Sequence, residues 1–348
     1  MSESDPLLQV TDLVQEFTVR DRGGAKAGTV HAVSDVSFEL ATGETLGLVG
    51  ETGSGKSTLA RAILQAPPPK SGSVRLRGHE LVGLKGRKLI EARRDVQMVF
   101  QDPFGSLDPK WRARDLVEEP LVAFKVGTRA ERRRRADELL DLVGLDPARF
   151  SARHPRELSG GQAQRVAIAR ALALGPALII CDEPVSSLDV LIRAQVLGLL
   201  ERLRGELGLA YLFIAHDLAL VKQVSDRVAV LYLGKLVEIG PAEALYREPL
   251  HPYTVALLAS IPSPDPTVAR RPVAETIRGE LPSPIDPPSG CRFRTRCPRA
   301  QDLCAAEEPP LRKLADGHLA ACHFPVGRDD AATPTPTSAV QSSVASES

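Results

Sequence analysis

At 348 residues, with Lys+Arg and Asp+Glu balanced at 44 each, the chain has room for two domains and no net charge to offer a polyanion. Its composition, 43% hydrophobic and 25% charged, is that of an ordinary globular protein, and 4% aromatic residues leave little for a base-stacking platform, so nucleic acid is not an expected partner. No apolar run nears the ~18 residues that span a bilayer, and "MSESDPLLQV" lacks the basic start and apolar core of a signal peptide. The expectation is a soluble cytosolic chain that meets a membrane only from its surface.

Residues 7–48 alternate short apolar runs with turns, and "RDRGGAKAG" reads as a hairpin loop. A helical pattern follows over 56–65, and "SGSVRLRGHEL" reads as a further hairpin strand. Residues 92–160 read as mostly helical, interrupted at Pro103, Pro109 and Pro120. Next come a buried-type strand "ALIICDE", a helix from Ala194 to about Leu207, and a second buried strand "LAYLFIAH". Strands and helices in this alternation imply a parallel sheet covered on both faces. From Ile261 onward, "IPSPDPTVARRP" and "LPSPIDPPSG" are too proline-rich for regular structure and read as an extended connector. The tail over 326–348 has almost no large apolar side chains and is expected to be disordered.

The stretch "GETGSGKST", 50–58, fits G-x-x-x-x-G-K-[ST], follows the apolar strand "TLGLV" and opens a helix. Gly50, Gly53 and Gly55 let backbone N–H groups wrap an anion, with Glu51, Thr52 and Ser54 between them and Thr58 just beyond. The helix start adds its positive end; Lys56 can reach the β- and γ-phosphates and Ser57 can ligate Mg²⁺. A glycine-rich turn with a surface lysine would share the letters but not the strand–loop–helix setting. In "LIICDEP" a buried strand ends in two carboxylates: Asp182 is placed to hold Mg²⁺, and Glu183 to orient or deprotonate water. Cys181, inside that strand, reads as a small core hydrophobe. "LSGGQ" sets Ser159, Gly160 and Gly161 before a helix beginning near Gln162, a second anion-type helix start at which Ser159 also suits the N-cap.

These three stretches together resemble the nucleotide-binding subunit of an ATP-binding-cassette (ABC) transporter. The likeness spans about residues 7–245 and implies a P-loop NTPase core of α/β class: a mixed sheet, an antiparallel β subdomain and a helical subdomain at about 102–165. Further residues match the family in order. Gln101 in "VFQDP" resembles the Q-loop glutamine, which also touches Mg²⁺. Asp189, closing "SSLD", resembles the D-loop, and His216 in "IAHD" the switch histidine. Phe17 is the candidate for the aromatic that stacks on adenine. Thr52, Ser187 and Ala163 depart from the commoner residues, none at a group that touches phosphate or metal. The resemblance implies head-to-tail pairing with a second cassette, a paralogue or a copy of itself, in which the Ser159 loop of one subunit closes on the γ-phosphate held by the other. The run of arginines at 132–135 reads as a solvated helix face offset by Glu131, Asp137 and Glu138.

Four of the five cysteines lie at Cys291, Cys297, Cys304 and Cys322, spaced C-x5-C-x6-C-x17-C, unlike a C-x2-C zinc finger. A reducing compartment disfavours disulfides, and a segment poor in apolar groups would gain a core from a metal. "HPYTVALLASIP", "GCRFRTRCP" and "GHLAACHF" resemble the C-terminal region of oligopeptide/dipeptide importer ATPases, some of which carry a four-cysteine [4Fe–4S] cluster here. The expectation is therefore a small irregular Cys-rich domain over 246–325 holding such a cluster, with Zn²⁺ as the alternative. The implied function is hydrolysis of ATP to drive peptide import from the cytoplasmic face of the membrane, as a peripheral subunit. Its partners would be two permease subunits and, indirectly, an extracytoplasmic peptide-binding protein. A nickel or glutathione-like cargo, or a soluble cassette ATPase outside transport, are the alternatives.

Overall fold

The computed structural model describes residues 5–20, 26–261 and 279–327. The hairpin loop tip at 21–25, most of the proline-rich connector and the tail from 328 lie outside the described residues. Two long strands, β1 (Leu8–Arg20) and β2 (Lys26–Leu40), pair antiparallel, so the strand resumes by Lys26, inside the stretch read as loop. The next strand, β3 (Thr45–Val49), runs into α1 (Lys56–Ile63). Then come β4 (Ser71–Leu76), β5 (His79–Glu80), α2 (Gly86–Ala92) and β6 (Val96–Val99). The expected helical stretch thus contains a strand, β6, whose four residues carry no period that separates strand from helix.

A block of helices follows: α3 (Pro103–Ser106), α4 (Ala113–Ala123), α5 (Arg129–Leu142), α6 (Pro147–Phe150) and α7 (Gly160–Leu172). Pro103 opens α3 at a position where a missing N–H costs nothing. Pro120, an interruption on the sequence pattern, lies inside α4, where it is buried. The arginine run does lie on a solvated face of α5, with Arg132 paired to Glu118 at 3.2 Å and Arg135 to Glu138 at 3.3 Å.

The chain then returns to the sheet through β7 (Leu178–Asp182), α8 (Val190–Leu207), β8 (Ala210–Ile214), α9 (Leu218–Val224), β9 (Arg227–Tyr232) and β10 (Lys235–Pro241). Helix α8 starts four residues earlier than the sequence pattern indicates, because the Asp189 side chain accepts from Ile192 N and caps it. Two short helices, α10 (Ala242–Arg247) and α11 (Pro252–Ala259), precede the connector, and α12 (Asp302–Ala306), β11 (Arg312–Ala315) and β12 (His318–Ala320) follow it.

There are two sheets among the described residues, ordered β2-β1-β4-β5 and β11-β12-β10-β9-β3-β8-β7-β6. Strands β9, β3, β8, β7 and β6 are mutually parallel, while β10, β12 and β11 add antiparallel, giving the mixed sheet. Side chains alternate across it with the two-residue period of a strand. Leu178, Ile180, Leu212, Ile214 and Leu231 face a core shared with α1 and the four-stranded sheet. Ile179, Cys181, Tyr211, Phe213 and Val230 face the helical layer. A sheet buried on both faces has no solvent side, which is why these strands read as unbroken apolar runs. Burial also pushes the Cys181 thiol far up, as suits a core residue.

The C-terminal segment is not set apart as a separate irregular domain. Strand β12 hydrogen-bonds to β10, with Glu238 opposite Ala320, and so extends the main sheet. Beneath it the buried Glu238 carboxylate accepts from Leu250 N and His251 N, both at 2.8 Å, and pairs with His318 Nε2 at 2.7 Å. A buried carboxylate without such partners would cost several kcal/mol, on the order of 3–5 for one left unpaired.

Candidate ATP site

The P-loop leaves β3 at Gly50 and enters α1 at Lys56. Its glycines are required by contact as well as by conformation. At Gly50, φ is +153° and an added Cβ would lie 2.1 Å from the Leu231 carbonyl oxygen; at Gly55, φ is +106° and the Cβ would lie 2.2 Å from that of Ala32. The start of α1 has no side-chain cap, so its first N–H groups are left for a ligand. The buried Ser54 hydroxyl likewise has no partner. Lys56 is buried, and its amino group donates to the carbonyls of Gly50 at 2.6 Å and Glu51 at 3.0 Å. Burial lowers its pKa, opposed by the nearby carboxylates of Glu183, Asp182 and Glu51. Thr52 and Gly53 are exposed, and Ser57 and Thr58 are half-buried in the first turn of α1.

The end of β7 closes the site. Ser57 Oγ donates to Asp182 Oδ1 at 2.9 Å. Burial raises the Asp182 pKa, helped by the Glu183 charge and resisted by the Ser57 hydrogen bond, Arg61 and Lys56. A hydroxyl beside an under-compensated buried carboxylate is a donor set that fits Mg²⁺. Glu183 takes φ +49°, a left-handed conformation uncommon for a non-glycine residue, while its N–H donates to the Ile214 carbonyl at 2.9 Å. Gln101 Nε2 donates to Glu183 Oε2 at 3.0 Å, and His216 Nδ1 lies 3.2 Å from the same oxygen. Three expected residues from the ends of β6, β7 and β8 thus meet on one carboxylate. Such a group can hold a water and accept its proton.

The remaining expected residues lie apart from this centre. Ser159 caps α7 with a reciprocal box: Gln162 N donates to Ser159 Oγ at 3.3 Å, and Ser159 N to Gln162 Oε1 at 3.0 Å. Helix α7 packs on α3, α4, α5 and α8, and Gly161 is pressed so close to α8 that a Cβ would meet Ile192 Cγ2 at 2.4 Å. The loop thereby touches the helix that Asp189 caps. Phe17 stands on β1 opposite Val30 and is 39% exposed, available to a flat ligand.

Several contacts to the P-loop carry no local signal in the sequence. Tyr253 of α11 accepts from Glu51 N at 2.8 Å, and Arg296 Nη1 donates to Glu51 Oε2 at 2.9 Å. The one available hint was chemical: a carboxylate within an anion-binding loop calls for a cation.

The five cysteines form no disulfide. Cys291 is pushed up to about 11 by burial and by the neighbouring Cys304 and Cys297, and Cys322 to about 12 by burial and the other three. Cys291 N also donates to the Cys304 carbonyl at 2.8 Å. Yet among the described residues no group of three or more Cys, His, Asp or Glu side chains is gathered so as to hold a metal ion. The expected iron–sulfur or zinc centre is not supported by this geometry.

Residues 33–186 match the ABC transporter family, and residues 237–304 match the oligopeptide/dipeptide transporter C-terminal region. The chain is 50% identical over 320 residues to the putative oligopeptide transport ATP-binding protein YkfD of Bacillus subtilis, covering 92% of this chain and 95% of that one. It is 49% identical over 322 residues to the probable peptide ABC transporter ATP-binding protein y4tS of Sinorhizobium fredii, covering 92% and 90%. Among solved structures, the dimeric post-hydrolysis cassette MJ0796 bound to ADP and Pi aligns with TM-score 0.61 and 31% identity, over 68% of this chain and 98% of that one. The cassette cbiO1 from Clostridium perfringens aligns with TM-score 0.60 and 28% identity, over 70% and 92%. With the P-loop, the Asp182–Glu183 strand end and the C-terminal match in one chain, this protein is an ATPase and belongs to the ATP-binding subunits of ABC transporters, in the oligopeptide/dipeptide group.

Proposed function

We propose that the chain hydrolyses ATP to energise the import of peptides through a membrane transporter. The observation that carries this is the 50% identity to an oligopeptide transport ATP-binding protein over nearly the whole of both chains. In this mechanism Lys56 and the backbone N–H groups around Gly53, Ser54 and Gly55 hold the phosphates, and Phe17 stacks on the base. Ser57, Asp182 and Gln101 would hold Mg²⁺, which neutralises phosphate charge when bound. Glu183 accepts the proton of the attacking water, while Gln101 and His216 keep that carboxylate aimed. Two subunits, paralogues or copies, pair head to tail so that Ser159, Gly160, Gly161 and Gln162 of one, with Asp189 nearby, complete the site of the other. ATP then holds the pair closed and hydrolysis releases it.

Two permease subunits would receive this motion at the segment after Gln101, where Phe104 and Trp111 are 44% and 42% exposed. An extracytoplasmic binding protein would supply the peptide. Among the described residues no helix is long and apolar enough to cross a membrane, consistent with a peripheral subunit at the cytoplasmic face. We take 7–245 as the ATP-binding domain, 102–165 as its helical part and 246–325 as the transporter-type extension. An iron–sulfur cluster on the four thiols is a separate proposal that rests on residue type and sequence clustering alone, against the described geometry; iron and sulfide analysis after anaerobic purification decides it.

Assembled with its permease partners, the protein should show ATPase activity stimulated by peptide-loaded binding protein; activity indifferent to every peptide would sink the peptide assignment. Glu183→Gln should cut hydrolysis by about a hundredfold or more while MgATP still binds and a nucleotide-dependent dimer accumulates in light scattering.

A further inference from the structure

The P-loop carries a carboxylate at its second position, Glu51, although a loop that wraps a triphosphate gains nothing from negative charge. The structure turns that carboxylate onto Arg296, which lies 245 residues downstream within the cysteine-bearing segment. Arg296 is 8% exposed, its Nη1 is also 3.4 Å from the Tyr232 hydroxyl, and its guanidinium stands 5.8 Å from the Tyr232 ring centre. Its Nε is buried without a partner, so the guanidinium is held there chiefly by Glu51 and the aromatic ring. The same loop is touched at two further points: Glu51 N donates to Tyr253 OH at 2.8 Å, and Leu281 lies 3.7 Å from a Cβ built on Gly53. Tyr232, Tyr253 and Phe293 form one aromatic cluster, with ring centres 4.7–5.3 Å apart, that joins these contacts to the cysteine segment.

We propose that Arg296 is a positioning residue of the ATP site: its ion pair with Glu51 takes a carboxylate out of the phosphate cradle and fixes the loop, so that nucleotide affinity and the folding of segment 291–304 are linked. Without Arg296, the Glu51 carboxylate sits unpaired beside the phosphates and competes with them for Lys56. Linkage makes the effect reciprocal, so MgATP must stabilise the segment as the segment stabilises MgATP binding. The inference rests on the ATPase assignment and concerns the same site.

The test is MgATP affinity, by calorimetry on the full chain, for the parent, Arg296→Gln, and Arg296→Gln combined with Glu51→Gln. Arg296→Gln should weaken binding about tenfold and raise the KM for ATP more than it lowers kcat. The double variant should recover most of the loss, which a purely structural role for Arg296 would not allow. Binding by Arg296→Gln within twofold of the parent, or a double variant no tighter than Arg296→Gln, overturns the proposal; a parent that fails to bind MgATP overturns the ATPase assignment instead. Hydrogen–deuterium exchange on the unmutated protein keeps the test open if the variants do not fold. MgATP should slow exchange in peptides across 291–304, and unchanged exchange there overturns the linkage.

Discussion

Helices α1 and α7 both begin at glycine-rich loops, yet the chain finishes the two starts in opposite ways. The first has Gly55 at its N-cap and no side chain to satisfy its leading N–H groups. Around it are a buried ammonium, a buried carboxylate whose pKa is raised, and an unpartnered serine hydroxyl. The second is closed upon itself by Ser159 and Gln162 and carries no charged group in its first turn. An uncapped, charged helix start is incomplete until an anion and a cation arrive. A capped, neutral one is at rest and can only add hydrogen bonds to a phosphate already held elsewhere. In the proposed mechanism, one motif therefore binds nucleotide within a single chain, and the other acts when a second subunit presents it.

The contrast is broken most severely at Lys56. Lys56→Ala should lower MgATP hydrolysis by about a hundredfold or more and weaken nucleotide binding in the monomer, both measurable on purified protein. Nucleotide turnover like the parent's would abolish the distinction between the two loops.

A third helix start sharpens the comparison through pH. His251 caps α11, whose Tyr253 holds the P-loop, and its Nδ1 accepts from Tyr253 N at 3.0 Å. Burial lowers its pKa from 6.5 to about 4, opposed by the Glu238 carboxylate, so it is neutral in the fold. A histidine depressed in the folded state leaves the unfolded chain binding more protons in that window. Its contribution is then complete above pH 6.5 and is lost as pH falls towards about 4, by up to about 3 kcal/mol. Urea denaturation at about pH 5 and about pH 7.5 should show this slope, and His251→Asn, which keeps an acceptor at the cap, should flatten it.

The smallest effect belongs to the resting loop. Ser159→Ala removes one cap and should cost about 1 kcal/mol of stability, with monomer MgATP affinity near that of the parent. A large loss of monomer affinity would mean that the signature loop touches its own chain's nucleotide.

How much of this was legible depended on distance along the chain. The P-loop, the carboxylate pair after β7 and the Ser159 cap are encoded by residues within a few positions of one another, so pattern and chemistry located them. Strand β6 was hidden because a run of four residues, Val96–Val99, is too short to show a period of its own, and Pro120 lies inside α4 although it has no N–H to give the helix. Composition marked the cysteine segment as separate, yet β12 hydrogen-bonds into the main sheet.

From the amino-acid order alone came the candidate nucleotide site: which lysine, which hydroxyl and which two carboxylates compose it, since residues only a few positions apart are placed by local geometry. Tertiary structure alone brought Gln101 and His216 onto Glu183 and Arg296 onto Glu51. Ion pairs and hydrogen bonds act over about 3 Å of space, and how many residues of chain lie between the partners leaves no trace in either one's neighbourhood.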